Sequence, residues 1–281
     1  PDGVALAQPL VASGRWPLVE ILSWANAATN LDVVAARRAG TRIIYTPHTQ
    51  PAWTMPDSER YWLLEPAFDR ALAESDLICC DSPAEVATVR QRVREARAIM
   101  LPLGVAPGRF HPAPVSRAPE VLLVADFGEY RKRTDLSLAA IARLLARRPE
   151  FHATLVGRHS QKVTLAPEIA PRVRRPGYVS DAELVRLYQQ SAVFLLLSDY
   201  EAFGIPIVEA LACGTPVVTT ATREATSLFS GLPGCLLVDN TDAAAVDAAL
   251  ENALMSGEAG APGMAGEAVA EAAARRFSLE T

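Results

Sequence analysis

Ser198-Asp-Tyr-Glu201-Ala-Phe-Gly204-Ile-Pro206-Ile-Val-Glu209-Ala-Leu-Ala-Cys-Gly214-Thr-Pro216 is the stretch on which the reading of this chain turns. The apolar run Ala192–Leu197 in front of it reads as a buried strand, and Val217–Thr220 behind it reads as the next one. Between them a loop leads to Gly204–Pro206, which open a helix, and a proline suits the first helical turn. Free amides at that turn, with no side chain on Gly204, make an anion site at the C-terminal edge of a parallel sheet. Glu209 is the only charge in an otherwise apolar helix, and its neighbours one turn away (Ile205, Pro206, Ala212, Cys213) offer no partner. Such a carboxylate calls for donors from elsewhere, and ribose hydroxyls would supply them.

The same strand–helix alternation extends in both directions. Strand-like segments are Val19–Trp24, Arg42–Thr46, Leu77–Cys80, Ala98–Leu101, Val121–Ala125, Ala153–Val156, Ala192–Leu197, Val217–Thr220 and Cys235–Asp239. Helical periods fall at Ser58–Glu74, Pro83–Val93, Asp135–Arg147, Ala182–Gln190 and Ala243–Met255, with a loop and a further helix over Gly257–Ala274. Strands this apolar suit a parallel sheet covered on both faces, so the class is α/β, doubly wound. The proline-rich stretch Pro107–Pro119 breaks the alternation and divides the chain into two Rossmann-like lobes, 1–108 and 109–281.

Composition narrows the chemistry. Half of the 281 residues are hydrophobic and the formal net charge is −5, which argues against a nucleic-acid partner. No apolar run is long enough to span a bilayer and no signal-peptide pattern opens the chain. The cysteines Cys79, Cys80, Cys213 and Cys235 lack CxxC spacing and read as reduced thiols of a cytoplasmic protein, one that could work peripherally at a membrane. There is no GxGxxG fingerprint, no phosphate-binding P-loop, no GxSxG elbow and no DxD pair, and the four histidines are not at metal-ligand spacing. What remains is an α/β enzyme with no metal and no bound cofactor expected.

Two glutamates eight residues apart, alone, would fit a solvated helix face. The whole string, however, resembles the E-x7-E signature of retaining GT-B glycosyltransferases of family 4, which includes glycogen-synthase-like and mannosyl-transferring enzymes. Leu101-Pro-Leu-Gly104-Val-Ala-Pro-Gly-Arg-Phe110-His-Pro112 resembles that family's interdomain stretch, with Ala106 in place of the usual aspartate. Gly177-Tyr178-Val179-Ser-Asp181, followed by Leu184 and Tyr188, resembles the segment that passes the nucleobase, and Lys132-Arg-Thr-Asp-Leu resembles mannosyltransferase-like members.

The resemblance implies roles. Glu201 would face the donor sugar, and the backbone of Phe203, Gly204 and Ile205 would meet sugar and phosphate. Glu209 would hold the ribose, with Tyr178 and Val179 beside the base. Lys132 matches the family's phosphate-binding lysine. Arg131, Lys132 and Arg133 gather three cations before a helix that Thr134 can cap, an arrangement that opposes the macrodipole unless an anion binds. The family's upstream arginine is missing, since Asp126 or Phe127 stands there, so Arg131 or Arg133 would have to substitute. His48, after the strand Arg42–Thr46, would line the reaction face, while Trp53, Tyr61 and Trp62 suit core packing better than an acceptor pocket.

The implied activity is transfer of a hexose-like sugar from a nucleoside diphosphate sugar to a hydroxyl acceptor, whether small molecule, glycan or lipid-linked. Two alternatives stay open: a degenerate, non-catalytic sugar-nucleotide binder, and a nucleotide-sugar epimerase. The resemblance also implies that the first lobe is incomplete and the chain trimmed at both ends.

Overall fold

The structure is a computed structural model and describes residues 15–22, 27–48, 65–106, 108–258 and 264–278. The chain forms two compact units, Pro1–Pro102 and Leu103–Thr281, against the division at 108 expected from the prolines. The residues after Pro102 go with the second unit for a packing reason. Val105 and Phe110 are buried in its core, and the Val105 N–H donates to the Phe277 carbonyl at 3.1 Å.

In the first unit, β1 (Leu18–Leu22), β2 (Arg42–Thr46), β3 (Leu77–Cys80) and β4 (Ala98–Met100) form a parallel sheet in that order. α1 (Ala27–Arg38), α2 (Glu65–Glu74) and α3 (Pro83–Arg92) follow the first three strands. Ile43, Tyr45, Leu72 and Ile78 are fully buried at its centre. Sequence periodicity missed α1, whose Thr29, Asn30, Asp32, Val33 and Val34 are weak helix formers. The expected helical residues 58–64, with Trp53, Tyr61 and Trp62, lie outside the described residues.

The second unit holds a six-stranded parallel sheet in the order β10-β9-β8-β5-β6-β7. These strands are β5 (Ala118–Val124), β6 (His152–Val156), β7 (Val173–Gly177), β8 (Ser191–Leu196), β9 (Val217–Thr220) and β10 (Cys235–Val238). The helices are α4 (Thr134–Arg147), α5 (Asp181–Gln190), α6 (Ile205–Ala212), α7 (Arg223–Phe229), α8 (Ala243–Glu258) and α9 (Met264–Phe277). β7 has no apolar run to announce it: its sequence is Val-Arg-Arg-Pro-Gly, and Pro176 is tolerated because β7 is an edge strand.

The winding order positions the site. From β5 the chain builds outward through β6 and β7, and from β8 it builds the other way through β9 and β10. β5 and β8 therefore flank the topological switch point, where a doubly wound sheet opens a crevice beyond its C-terminal strand ends. Gly214, after α6, has φ +75°, and a side chain there would run into the backbone of Gly266, so α9 packs closely against this turn. Phe277 of α9 meets Phe203 edge-on at 5.7 Å and Phe229 at 5.6 Å, fixing the loop that enters α6.

Candidate functional site in the second unit

Two loops meet at the switch point, one after β5 and one after β8. The Asp199 N–H donates to the Arg131 carbonyl at 2.9 Å. Arg133 Nη1 donates to both Asp199 carboxylate oxygens at 3.0 and 3.1 Å, and Asn240 Nδ2 holds Asp199 Oδ1 at 2.9 Å and the Leu197 carbonyl at 3.1 Å. Between these ties Lys132 Nζ donates to Glu201 Oε1 at 2.8 Å and Oε2 at 3.0 Å. Ser198, 1% exposed, donates from Oγ to Glu201 Oε1 at 2.6 Å. Thus the lysine and the glutamate singled out in the sequence hold each other beyond the C-terminal ends of β5 and β8.

The arginines beside Lys132 are engaged with carboxylates. Tyr130–Lys132 is a 3-10 turn, and Arg133 itself, at φ 40°, is the cap residue of α4 in place of the expected Thr134. Besides Asp199, Arg133 binds Asp135 at 3.1 and 3.2 Å. Arg131 pairs with Glu129 and lies 5.6 Å from the Tyr200 ring centroid. The positive charge foreseen at the helix start is thus largely matched by Glu129, Asp135 and Asp199, and Asp135 in the first turn also suits the macrodipole.

Asp126, expected where the family carries a cation, is folded into its own loop. Its carboxylate accepts from the Gly128 N–H at 2.9 Å and lies 3.2 Å from His159 Nδ1 and 3.6 Å from Arg158 Nε. The Gly128 N–H first, then His159 and Arg158, hold this carboxyl below the usual aspartate range. Arg158 Nε also donates to the Tyr178 hydroxyl at 3.3 Å; Tyr178 is 73% exposed, whereas Val179 packs partly against the core.

Gly204 caps α6 at φ +83°, and a Cβ there would lie 2.8 Å from Ile207 Cδ1, so the turn demands glycine. Phe203 is buried and Ile205 is exposed, leaving the backbone of this segment at the helix start, where first-turn N–H groups have no acceptor within the helix. Glu209, further along α6, differs from the sequence reading. It has a partner outside the helix: the Tyr188 hydroxyl of α5 donates to Oε2 at 2.9 Å. Burial raises the Glu209 pKa, opposed by Tyr188 and by the Arg109 charge. Tyr188 is fully buried, edge-on to Phe110 at 6.1 Å and Phe194 at 5.7 Å.

In the first unit, His48 follows β2 at φ 48°, a backbone conformation uncommon for a side-chain-bearing residue. Its Nδ1 is 2.8 Å from Asp81 Oδ2, and Asp81 follows β3. Reasoning from the sequence missed Asp81 and the anchoring role of Ser198, and it placed Tyr188 in the segment that passes the nucleobase without pairing it with Glu209. The position just past a strand's C-terminal end, which singled out His48, would also have singled out Asp81 and Ser198. Among the described residues, no group of three or more His, Cys, Asp or Glu side chains is placed to hold a metal ion, and no helix is long and apolar enough to cross a membrane.

Residues 118–256 match the family of glycosyl transferases group 1. The chain is 26% identical to the D-inositol 3-phosphate glycosyltransferase of Actinosynnema mirum, over 99% of this chain and 73% of that protein. It is 29% identical to the phosphatidyl-myo-inositol mannosyltransferase of Mycolicibacterium smegmatis, over 69% of this chain and 51% of the relative. Among solved structures, the sucrose-phosphate synthase of Thermosynechococcus elongatus superposes with a TM-score of 0.79 at 21% identity, over 99% of this chain and 73% of that one. HepE of Anabaena, in complex with UDP and glucose, superposes with a TM-score of 0.75 at 18% identity, over 98% and 77%. With its two parallel sheets the chain has the GT-B fold, and over the matched residues its second unit is similar to the group 1 glycosyltransferases.

Proposed function

We propose that the chain is a retaining, metal-independent hexosyltransferase that takes its sugar from a nucleoside diphosphate donor bound in the second unit and passes it to a hydroxyl acceptor. The observation that carries this reading is the Lys132–Glu201–Ser198 cluster at the β5/β8 switch point, beside the start of α6. Lys132 and the first-turn amides of α6 would stabilise the diphosphate as it departs, the role that preorganised donors play where negative charge develops. Glu201, anchored by Ser198, would orient the donor sugar, and the Glu209 oxygen not engaged by Tyr188 would accept from the ribose. Tyr178 and Val179 would border the base, and His48 would act on a substrate oxygen. The name of one relative, a mannosyltransferase, supports a hexose as the transferred group.

Transfer should proceed in EDTA and give a product with the donor's anomeric configuration, as read by proton NMR. A strict divalent-ion requirement, or an inverted product, would overturn the metal-free retaining mechanism. A second reading rests on the resemblance: with Asp126 or Phe127 at the place of the family's upstream arginine, the chain would bind sugar nucleotides without turning them over. Binding without transfer across a donor and acceptor panel would decide for it.

Glu209→Ala is expected to weaken nucleoside diphosphate binding by about 1.5–3 kcal/mol, the range for hydrogen bonds to a charged group. Tyr188→Phe should leave most of that affinity, because it removes the partner of only one carboxylate oxygen. Equal losses in the two variants, measured by calorimetry, would mean that Glu209 serves the packing of Tyr188 and not a ligand.

A further inference from the structure

His48 and Asp81 form a built pair just past the C-terminal ends of β2 and β3, the two central strands of the first unit's sheet. Asp81 is 1% exposed, its Oδ2 meets His48 Nδ1 at 2.8 Å, and its Oδ1 is buried with no hydrogen-bond partner among the described residues. The Asp81 backbone is itself fixed, because its N–H donates to Glu85 Oε2 at 2.7 Å. Glu85 sits in the first turn of α3, where its own N–H is capped by Ser82 Oγ at 3.1 Å. The histidine side chain is 22% exposed, and no described residue is hydrogen-bonded to Nε2. A buried carboxylate on one ring nitrogen, a second nitrogen with no partner among the described residues and a backbone in the left-handed region together describe a ring held for use. Strain of this kind persists where the surroundings enforce it.

We propose that Asp81 is a positioning residue for His48: its buried carboxylate, 2.8 Å from Nδ1, fixes the ring and favours its charged form, so that Nε2–H donates a hydrogen bond to a substrate oxygen. The groups facing the ring agree in sign. Asp81 from β3, Glu85 from α3 and Glu20 from β1 all favour the charged imidazole against the opposing effect of burial, and Cys79 is the thiol nearby, held neutral chiefly by its own burial. The His48 pKa is raised, so the pair adds stability below the ordinary imidazole value near ~6.5 and loses it as pH climbs through the higher folded value. The inference rests on the glycosyl-transfer reading only for the identity of the substrate oxygen. The pairing itself is independent of it.

Two measurements separate the layers. Long-range proton–nitrogen NMR on the wild-type chain, with the His48 signals assigned by their loss in His48→Gln, should show a ring that titrates above ~6.5. In Asp81→Asn it should titrate at or below that value. Wild-type kcat/KM with UDP-glucose or GDP-mannose, whichever is turned over, should carry an alkaline limb that moves to lower pH in Asp81→Asn and vanishes in His48→Gln. A ring that titrates at or below ~6.5 in the wild type overturns the proposal. So does an activity that rises with pH through the His48 titration, which would make the ring a base. Absence of turnover with every donor would count against the transferase reading while the NMR titration still decides the role of Asp81.

Discussion

Glu201→Gln is expected to lower turnover by about 100-fold or more, the scale seen when a group that stabilises transition-state charge is neutralised, while leaving nucleoside diphosphate affinity little changed. The asymmetry follows from where Glu201 stands. It lies at the end of the β8 loop and is held from one side by Ser198 at 2.6 Å and from the other by Lys132 at 2.8 Å. Glutamine preserves the shape and can still accept from both donors, so the loop should stay in place and only the charge beside the sugar disappears. Single-turnover kinetics with saturating donor, set beside calorimetry of the free nucleotide, reads the two effects apart. A loss of nucleotide affinity as large as the loss of turnover would mean that Glu201 has been given the wrong partner.

Lys132→Ala is expected to do the reverse, weakening nucleoside diphosphate binding by about 1.5–3 kcal/mol, or roughly 10- to 150-fold in Kd. The variant removes the cation meant for the phosphates and leaves the Glu201 carboxylate, 9% exposed, facing the crevice with Ser198 as its remaining side-chain donor. That carboxylate then repels the anion that Lys132 would have held. Arg133→Ala offers the contrast. Its guanidinium ties Asp199 to Asp135 across the two loops, so its loss should appear mainly as a lower Tm, with nucleotide affinity following only as far as the loops loosen. If Arg133→Ala weakened nucleotide binding as much as Lys132→Ala with no change in Tm, the phosphate contacts would have to be redistributed.

Much of this was legible in the sequence because apolar strands in a two-sided parallel sheet announce themselves. Arg42–Thr46, Leu77–Cys80 and Val217–Thr220 fall where the apolar runs place them. What escaped notice lacked that signal: β7, with two arginines and a proline at the sheet edge, and α1, with weak helix formers. The site shows the same division. Lys132 and Glu201 were visible as a lysine and a glutamate that match the family's motifs, and their mutual 2.8 Å contact depends on a strand order that places β5 beside β8. Tyr188 as the partner of Glu209, Asp81 as the partner of His48 and the pairing of Arg133 with Asp199 join residues 21, 33 and 66 positions apart. No local pattern encodes such contacts.

The most direct test is calorimetric titration of the wild-type chain with UDP, GDP, ADP and dTDP, repeated with Lys132→Ala. Saturable binding of at least one of these nucleotides without added metal, weakened roughly 10- to 150-fold in the variant, is the expected result. If all four fail to bind the folded wild-type chain, or if the nucleotide that binds does so equally well without Lys132, the crevice between β5 and β8 is not the donor site.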